Sequence, residues 1–367
     1  MQIDFANLKI QHNLYKEEIE EAILKVARDC NFIMGSQIDE LERNLEKFTG
    51  SKYAISCSSG TDALLLAMMA LDIQPDDEII TTPFTFFATA ETIAFLKAKP
   101  VFVDIDEKTY NIDPSKIEEK ITPKTKAIIP VSLYGQPADM DEINQIAKKY
   151  NLKVIVDGAQ SFGSTYKGIS DSNLGDISCT SFFPAKPLGC YGDGGALFTN
   201  DEKLADKIKS LRLHGQSIRY HHQYIGMGGR LDTIQAAVLN VKLKYYEKDL
   251  KLRQDVAAKY TKALNAKNIE TPFVKNDRTS AWAQYSIRVE NRTELQTKLQ
   301  NLGIPTAVHY PMPLHVQECF KYLNLKEGDF PISEKVSKEI MSLPMNPYVS
   351  DEEIEFIVEN LAKELRC

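Results

Sequence analysis

The hydrophobic pattern changes character several times along the chain. From Thr61 the run "TDALLLAMMALDI" reads as a buried helix. It is followed by "DDEIITTPFTFFATAETIAFLKAKPVFVDID", a strand, loop, helix and strand in sequence. The segments "TKAIIPVSLYG", "MDEINQIAKKYN", "LKVIVDGAQ" and "CTSFFPA" continue the alternation. Short β-branched runs separated by amphipathic helices predict a largely parallel sheet covered on both faces, an α/β fold.

Near Leu239 the pattern turns into a long charged helix, "LNVKLKYYEKDLKLRQDVAAKYTKALN". "AQYSIRV" follows, and then a helix-strand pairing from Glu294 to His309. Two parts are expected: a large domain with the N-terminal segment over 1–240, and the connecting helix with a smaller α+β domain over 241–367. The sequence contains no internal repeat or low-complexity segment.

Composition removes several classes of function. The 367 residues are 43% hydrophobic and 26% charged, ordinary usage for a chain able to build a large core. Lys and Arg total 44 against 51 Asp and Glu, a net charge of −7 with no basic run, so nucleic acid is not an expected partner. Six cysteines (Cys30, Cys57, Cys179, Cys190, Cys319 and Cys367) form no C-x-x-C pair, and "MQIDFANLKI" has no signal-peptide pattern; a reduced, cytoplasmic protein is expected. Apolar runs such as "ALLLAMMAL" are too short to span a bilayer, so no membrane association is expected.

In sheets of this kind ligands bind beyond the carboxyl ends of the strands, where the sequence places Thr82 onward, Asp157, and Ser181 to Lys186. In "SCSSGTDAL" small residues lead directly into an apolar helix. Backbone N–H groups, hydroxyls and the positive dipole end coincide there, a seat for a phosphate or simply a capped helix. "KVIVDGAQ" puts Asp157 after an apolar strand, where a carboxylate either meets a cation or caps a turn. "TSFFPAKPLGCYGDGGALFTN" sets Lys186 between two prolines after Phe182 and Phe183; burial there would depress its pKa and free the amine, whereas a surface turn would not. Together the three match the needs of pyridoxal phosphate: an anchored phosphate, an acid at the ring nitrogen and a lysine for the aldehyde.

"SSGTDAL", "TPFTFFATAETI", "PVFVDID", "KAIIPVSLYGQ", "DGAQSFG", "SFFPAKPLGCYGDGGALFTN", "RLHGQ", "GGRLDTIQAA" and "AVHYPMPLH" occur in this order, and the chain so resembles the DegT/DnrJ/EryC1 family of pyridoxal-phosphate sugar aminotransferases. The resemblance implies the aspartate-aminotransferase-type fold (fold type I), a homodimer with shared active sites, a nucleotide-linked keto sugar as substrate, and L-glutamate as donor with 2-oxoglutarate as its product. By motif, Lys186 resembles the Schiff-base lysine, Asp157 the partner of the pyridine nitrogen, and Gln160 the residue beside the ring. Phe86 resembles the aromatic stacked on the ring, and Gly60, Thr61 and Ser181 the phosphate ligands. Arg230, His309 and Tyr310 correspond to substrate contacts, partly supplied by the partner subunit. Where relatives commonly carry Asn two residues before Arg230, this chain has Gly228.

The family's dehydratases have histidine in place of the lysine, so Lys186 points to transamination; a non-catalytic binding protein on the same scaffold is the alternative from another class. "KTKAIIPVSLYGQ" and "TAVHYPMPLH" most resemble the branch that aminates C3 of UDP-linked 2-acetamido-3-keto sugars for lipopolysaccharide or lipid A, while dTDP-3-keto-6-deoxyhexoses and C4 ketones stay open. His214, His221 and His222 lack the companions of a metal site, so no metal is expected. "GCYGDGG" lacks dinucleotide-binding spacing and reads as a tight turn that lets backbone pass the cofactor.

Overall fold

The computed structural model describes residues 3–365; Cys367 lies outside them. Seven strands form the central sheet in the order Tyr53–Cys57, Gly195–Thr199, Ile177–Ser181, Lys153–Asp157, Thr125–Ile128, Glu78–Thr81 and Lys99–Phe102. Only Gly195–Thr199 runs against the others, antiparallel to both of its neighbours. The strand interiors are almost wholly buried because helices cover both faces, which is why these runs read as continuously apolar.

The helix Gly60–Ala70 is apolar on nearly every side and sits in the main core with Ile55, Ile79, Ile155 and Leu197. The helix Ser36–Thr49 instead carries a single stripe, Ile38, Leu41 and Leu45, and lays it against Phe198 and Leu239. The expected long helix begins earlier than its charged stretch, at Thr233, and ends at Asn265, so it passes unbroken through residue 240. Its far end contributes Val256, Tyr260 and Leu264 to a separate core with Ile287, Leu299 and Ile357.

The expected helix-strand pairing from Glu294 to His309 is only half formed. Arg292–Asn301 is helical, but the segment after it holds a single bridge, Ala307 to Ser342. The strand Tyr285–Arg288 pairs instead with Ile340–Leu343, which is buried along its length and far away in sequence. Residues 304–309 are thereby left to run past the sheet and deliver His309 and Tyr310 to the site described next. Among the described residues no helix is long and apolar enough to cross a membrane.

Candidate active site

At the carboxyl edge of the sheet, loops from five strands line a cleft of about 490 Å³. The loop after Cys57 turns into the helix Gly60–Ala70, with Ser59 as its cap: the Ser59 Oγ accepts from the Asp62 N–H at 3.0 Å. The hydroxyls of Ser58 and Ser59 also donate to the Asp62 carboxylate, so they are spent within the cap. Gly60, Thr61 and Ser181 are left facing the cleft at the positive end of the helix. Gly60 and Ser181 are packed so closely that a Cβ at 60 would lie 2.6 Å from the Ser181 Cβ.

Of the glycines after Lys186, Gly195 serves this crowding. Gly195 sits between Cys57 and Ser181 in the sheet, and a Cβ on it would lie 2.4 Å from the Ser59 carbonyl oxygen. The close approach at Gly195 is to the loop that leads into the helix. Gly228 leaves room for the His214 ring, whose Cε1 and Nε2 are 3.2 Å from the position a Cβ at 228 would take.

Asp157 ends the strand Lys153–Asp157 with its carboxylate buried beneath the cleft. Oδ2 accepts from the Thr89 hydroxyl at 2.7 Å and Oδ1 from the Ala159 N–H at 3.2 Å. Burial nevertheless raises its pKa, against the pull of these donors and the Lys186 charge. Deeper still, Asp171 is pushed up to about 6 by burial, although Ser132 and Ser161 donate to it. A carboxylate held in such a place needs a cationic group facing it, and the protonated nitrogen of a pyridine ring supplies one.

Lys186 lines the same cleft, half-buried, and its Nζ makes no hydrogen bond or ion pair among the described residues. Burial lowers its pKa and outweighs the Asp157 carboxylate, which raises it. Of the two aromatic neighbours, Phe182 turns into the core and only Phe183 borders the cleft. Phe86 is 53% exposed inside the cleft, an apolar face open to a planar ring.

Gln160 is buried, takes the Tyr134 N–H on its Oε1 at 2.7 Å, and donates from Nε2 to the Tyr310 hydroxyl at 3.0 Å. The Tyr310 ring lies 5.9 Å from that of Phe86. His309 contacts Ser342 Oγ through Nδ1 at 2.9 Å; burial and the nearby Lys186 charge push its pKa down to about 4, so the ring is neutral near pH 7.

Arg230 is the exception among the expected site residues. Its neighbour Gly229 accepts from the Ser58 N–H at 3.1 Å, yet the Arg230 side chain does not line the cleft of its own chain. His221 and His222 lie exposed on a short hairpin, where His222 Nδ1 meets the His214 carbonyl at 2.8 Å. Thr89, Asp193 and Gln284 belong to the site without having been expected there. A threonine in the first turn of an apolar helix was the only sign of Thr89, and nothing local connects Gln284 with Lys186.

A cofactor cleft at the carboxyl ends of a mostly parallel sheet, with a buried acid, a free lysine and a helix N-terminus, defines a pyridoxal-phosphate enzyme of the aspartate-aminotransferase type. The chain belongs to the DegT/DnrJ/EryC1/StrS aminotransferase family, whose model matches residues 13–362. It is 52% identical over 355 residues to the UDP-2-acetamido-2-deoxy-3-oxo-D-glucuronate aminotransferase of Pseudomonas aeruginosa, covering 97% of this chain and 98% of that one. It is 43% identical over 357 residues to the dTDP-3-amino-3,6-dideoxy-alpha-D-galactopyranose transaminase of Aneurinibacillus thermoaerophilus, covering 97% and 98%. Bacillus subtilis NtdA, solved with bound cofactor PMP, superposes with a TM-score of 0.93 at 31% identity, covering 100% of this chain and 86% of that one.

Proposed function

We propose that this protein transfers the amino group of L-glutamate to C3 of a UDP-linked 2-acetamido-3-keto hexose, as a cytoplasmic homodimer that serves surface polysaccharide or lipid A synthesis. The observation that carries the reading is the meeting of buried Asp157, unpaired Lys186 and the open face of Phe86 in one cleft. Two relatives that differ in nucleotide share position 3 of the sugar in their names, and the one at 52% identity acts on a UDP sugar.

When bound, pyridoxal phosphate supplies an aldehyde carbon that an amine can join and a ring that accepts electrons. Gly60, Thr61 and Ser181 would hold its phosphate, Phe86 would offer its face to the ring, and Gln160 with Tyr310 would border it. Asp157 would keep a proton on the ring nitrogen. The Lys186 amine takes a proton from the α-carbon of glutamate in the first half of the cycle and returns one to the sugar's C3 in the second.

Product masses from a panel of UDP- and dTDP-linked 3-keto and 4-keto sugars test the substrate. An amine is expected only from the UDP-3-keto sugars; amination of a 4-keto sugar alone refutes the assignment. The placement of Arg230 outside its own cleft supports a site completed by a second subunit. Mixing inactive Lys186→Ala and Arg230→Ala proteins should then restore activity to one of the two sites in each mixed dimer. Demonstrated subunit exchange without recovered activity would place Arg230 in a same-chain role.

A further inference from the structure

A second cavity, about 80 Å³, meets the cleft at Lys186, Gln284 and His309 and is bordered on its other sides by the N-terminal segment near Phe5 and by Met345 and Tyr348. Arg253, on the helix Thr233–Asn265, lines it and is only 6% exposed. Its Nη1 donates to the Trp282 carbonyl at 2.9 Å, while Nε has no hydrogen-bond partner. Among the described residues Arg253 forms no ion pair. The nearest candidate, Asp249, stands one turn earlier on the helix, and its oxygens are taken by Gln11 at 3.0 Å, Tyr348 at 3.2 Å and Tyr15 at 3.3 Å. Gln284, which borders both cavities, likewise has a buried Oε1 without a partner.

A buried guanidinium with donors to spare is costly unless an anion completes it. The planar fork of arginine matches a carboxylate in shape and charge. By the same measure the chamber, about 80 Å³, is far smaller than the main cleft of about 490 Å³, which suits a carboxylate better than a nucleotide or a sugar ring.

We propose that this chamber is a carboxylate subsite in which Arg253 is the cation, seating one carboxylate of the molecule that reacts at Lys186. The proposal rests on the transaminase reading above. Two substrates carry such a group: the amino-acid donor, and a keto sugar oxidised to a carboxylate at C6. The donor is favoured by size, since a short amino acid reaches from Lys186 into a small chamber without a pyranose ring having to enter.

The test uses cofactor-loaded wild type, Arg253→Met and Arg253→Lys. Bleaching of the cofactor band by L-glutamate reads the donor half-reaction. UDP-3-keto sugars with a C6 carboxylate or a C6 hydroxymethyl, added to the aminated enzyme, read the other half, and glutarate binding by calorimetry reads the subsite apart from turnover. Arg253→Met is expected to raise the half-saturating glutamate concentration roughly 10- to 150-fold, the range for charge-assisted hydrogen bonds, and to abolish glutarate binding. Both sugar reactions should be unchanged, Arg253→Lys intermediate, and the melting temperature of Arg253→Met equal to or above wild type.

A loss confined to the C6-carboxylate sugar would keep the subsite and assign it to the sugar. Unchanged glutarate binding overturns the proposal, as does an equal loss in all arms together with a lower melting temperature. Wild-type protein inert to glutamate and every sugar would defeat the transaminase reading instead, leaving glutarate binding to decide the subsite.

Discussion

Lys186→Ala protein is expected to retain no cofactor after borohydride treatment and dialysis, whereas wild type keeps the reduced cofactor covalently fixed at residue 186. The reason is that Lys186 Nζ is the unpaired amine of the cleft, with its pKa lowered by burial. Turnover should fall by at least about 10⁴-fold, because the variant loses both the amine that joins the cofactor and the base that moves the proton. The fold should survive, since the Lys186 Nζ is bonded to no other described residue. A borohydride-fixed cofactor in Lys186→Ala, located by peptide mass, would transfer the role to another lysine.

Asp157→Asn should reduce turnover by more than the roughly 10- to 150-fold that the loss of one charge-assisted hydrogen bond produces. An amide can still meet Thr89 and Ala159, but it cannot hold a proton on the ring nitrogen by charge. Stability of the cofactor-free protein should move the other way. Burial raises the Asp157 pKa above its unfolded value, so the folded protein bears the cost of ionisation above its folded pKa and is relieved of it once the group is protonated. The melting temperature of Asp157→Asn, relative to wild type, should therefore be higher at about pH 8 than at about pH 4. Near-normal turnover would remove Asp157 from the mechanism, and an equal shift at both pH values would mean that its carboxylate is not penalised by the fold.

Much of the site was legible because its parts are local. A cap before an apolar helix, an acid ending a strand and a lysine after the next strand each depend on a few adjacent residues, and strand direction brings their carboxyl ends together. The glycines of "GCYGDGG" were legible as a constraint but not in purpose, since Gly195 meets Ser59, more than a hundred residues away. The strand expected before His309 failed for a related reason: Ile340–Leu343 takes the place beside Tyr285–Arg288, and pairing between distant segments is weakly encoded in either one.

The sequence by itself determined the alternation of strands and helices and the placement of Lys186, Asp157 and the N-terminus of the helix Gly60–Ala70 at the carboxyl edge of the sheet, because short-range periodicity and residue chemistry specify them. Only the tertiary structure decided that Thr89 supports Asp157, that Arg230 stays out of its own cleft, and that Arg253 and Gln284 are buried beside Lys186. Each of these is a contact between elements far apart in the chain. Their side chains are chosen for an environment that exists only once the sheet, the long helix and the C-terminal segment have packed together.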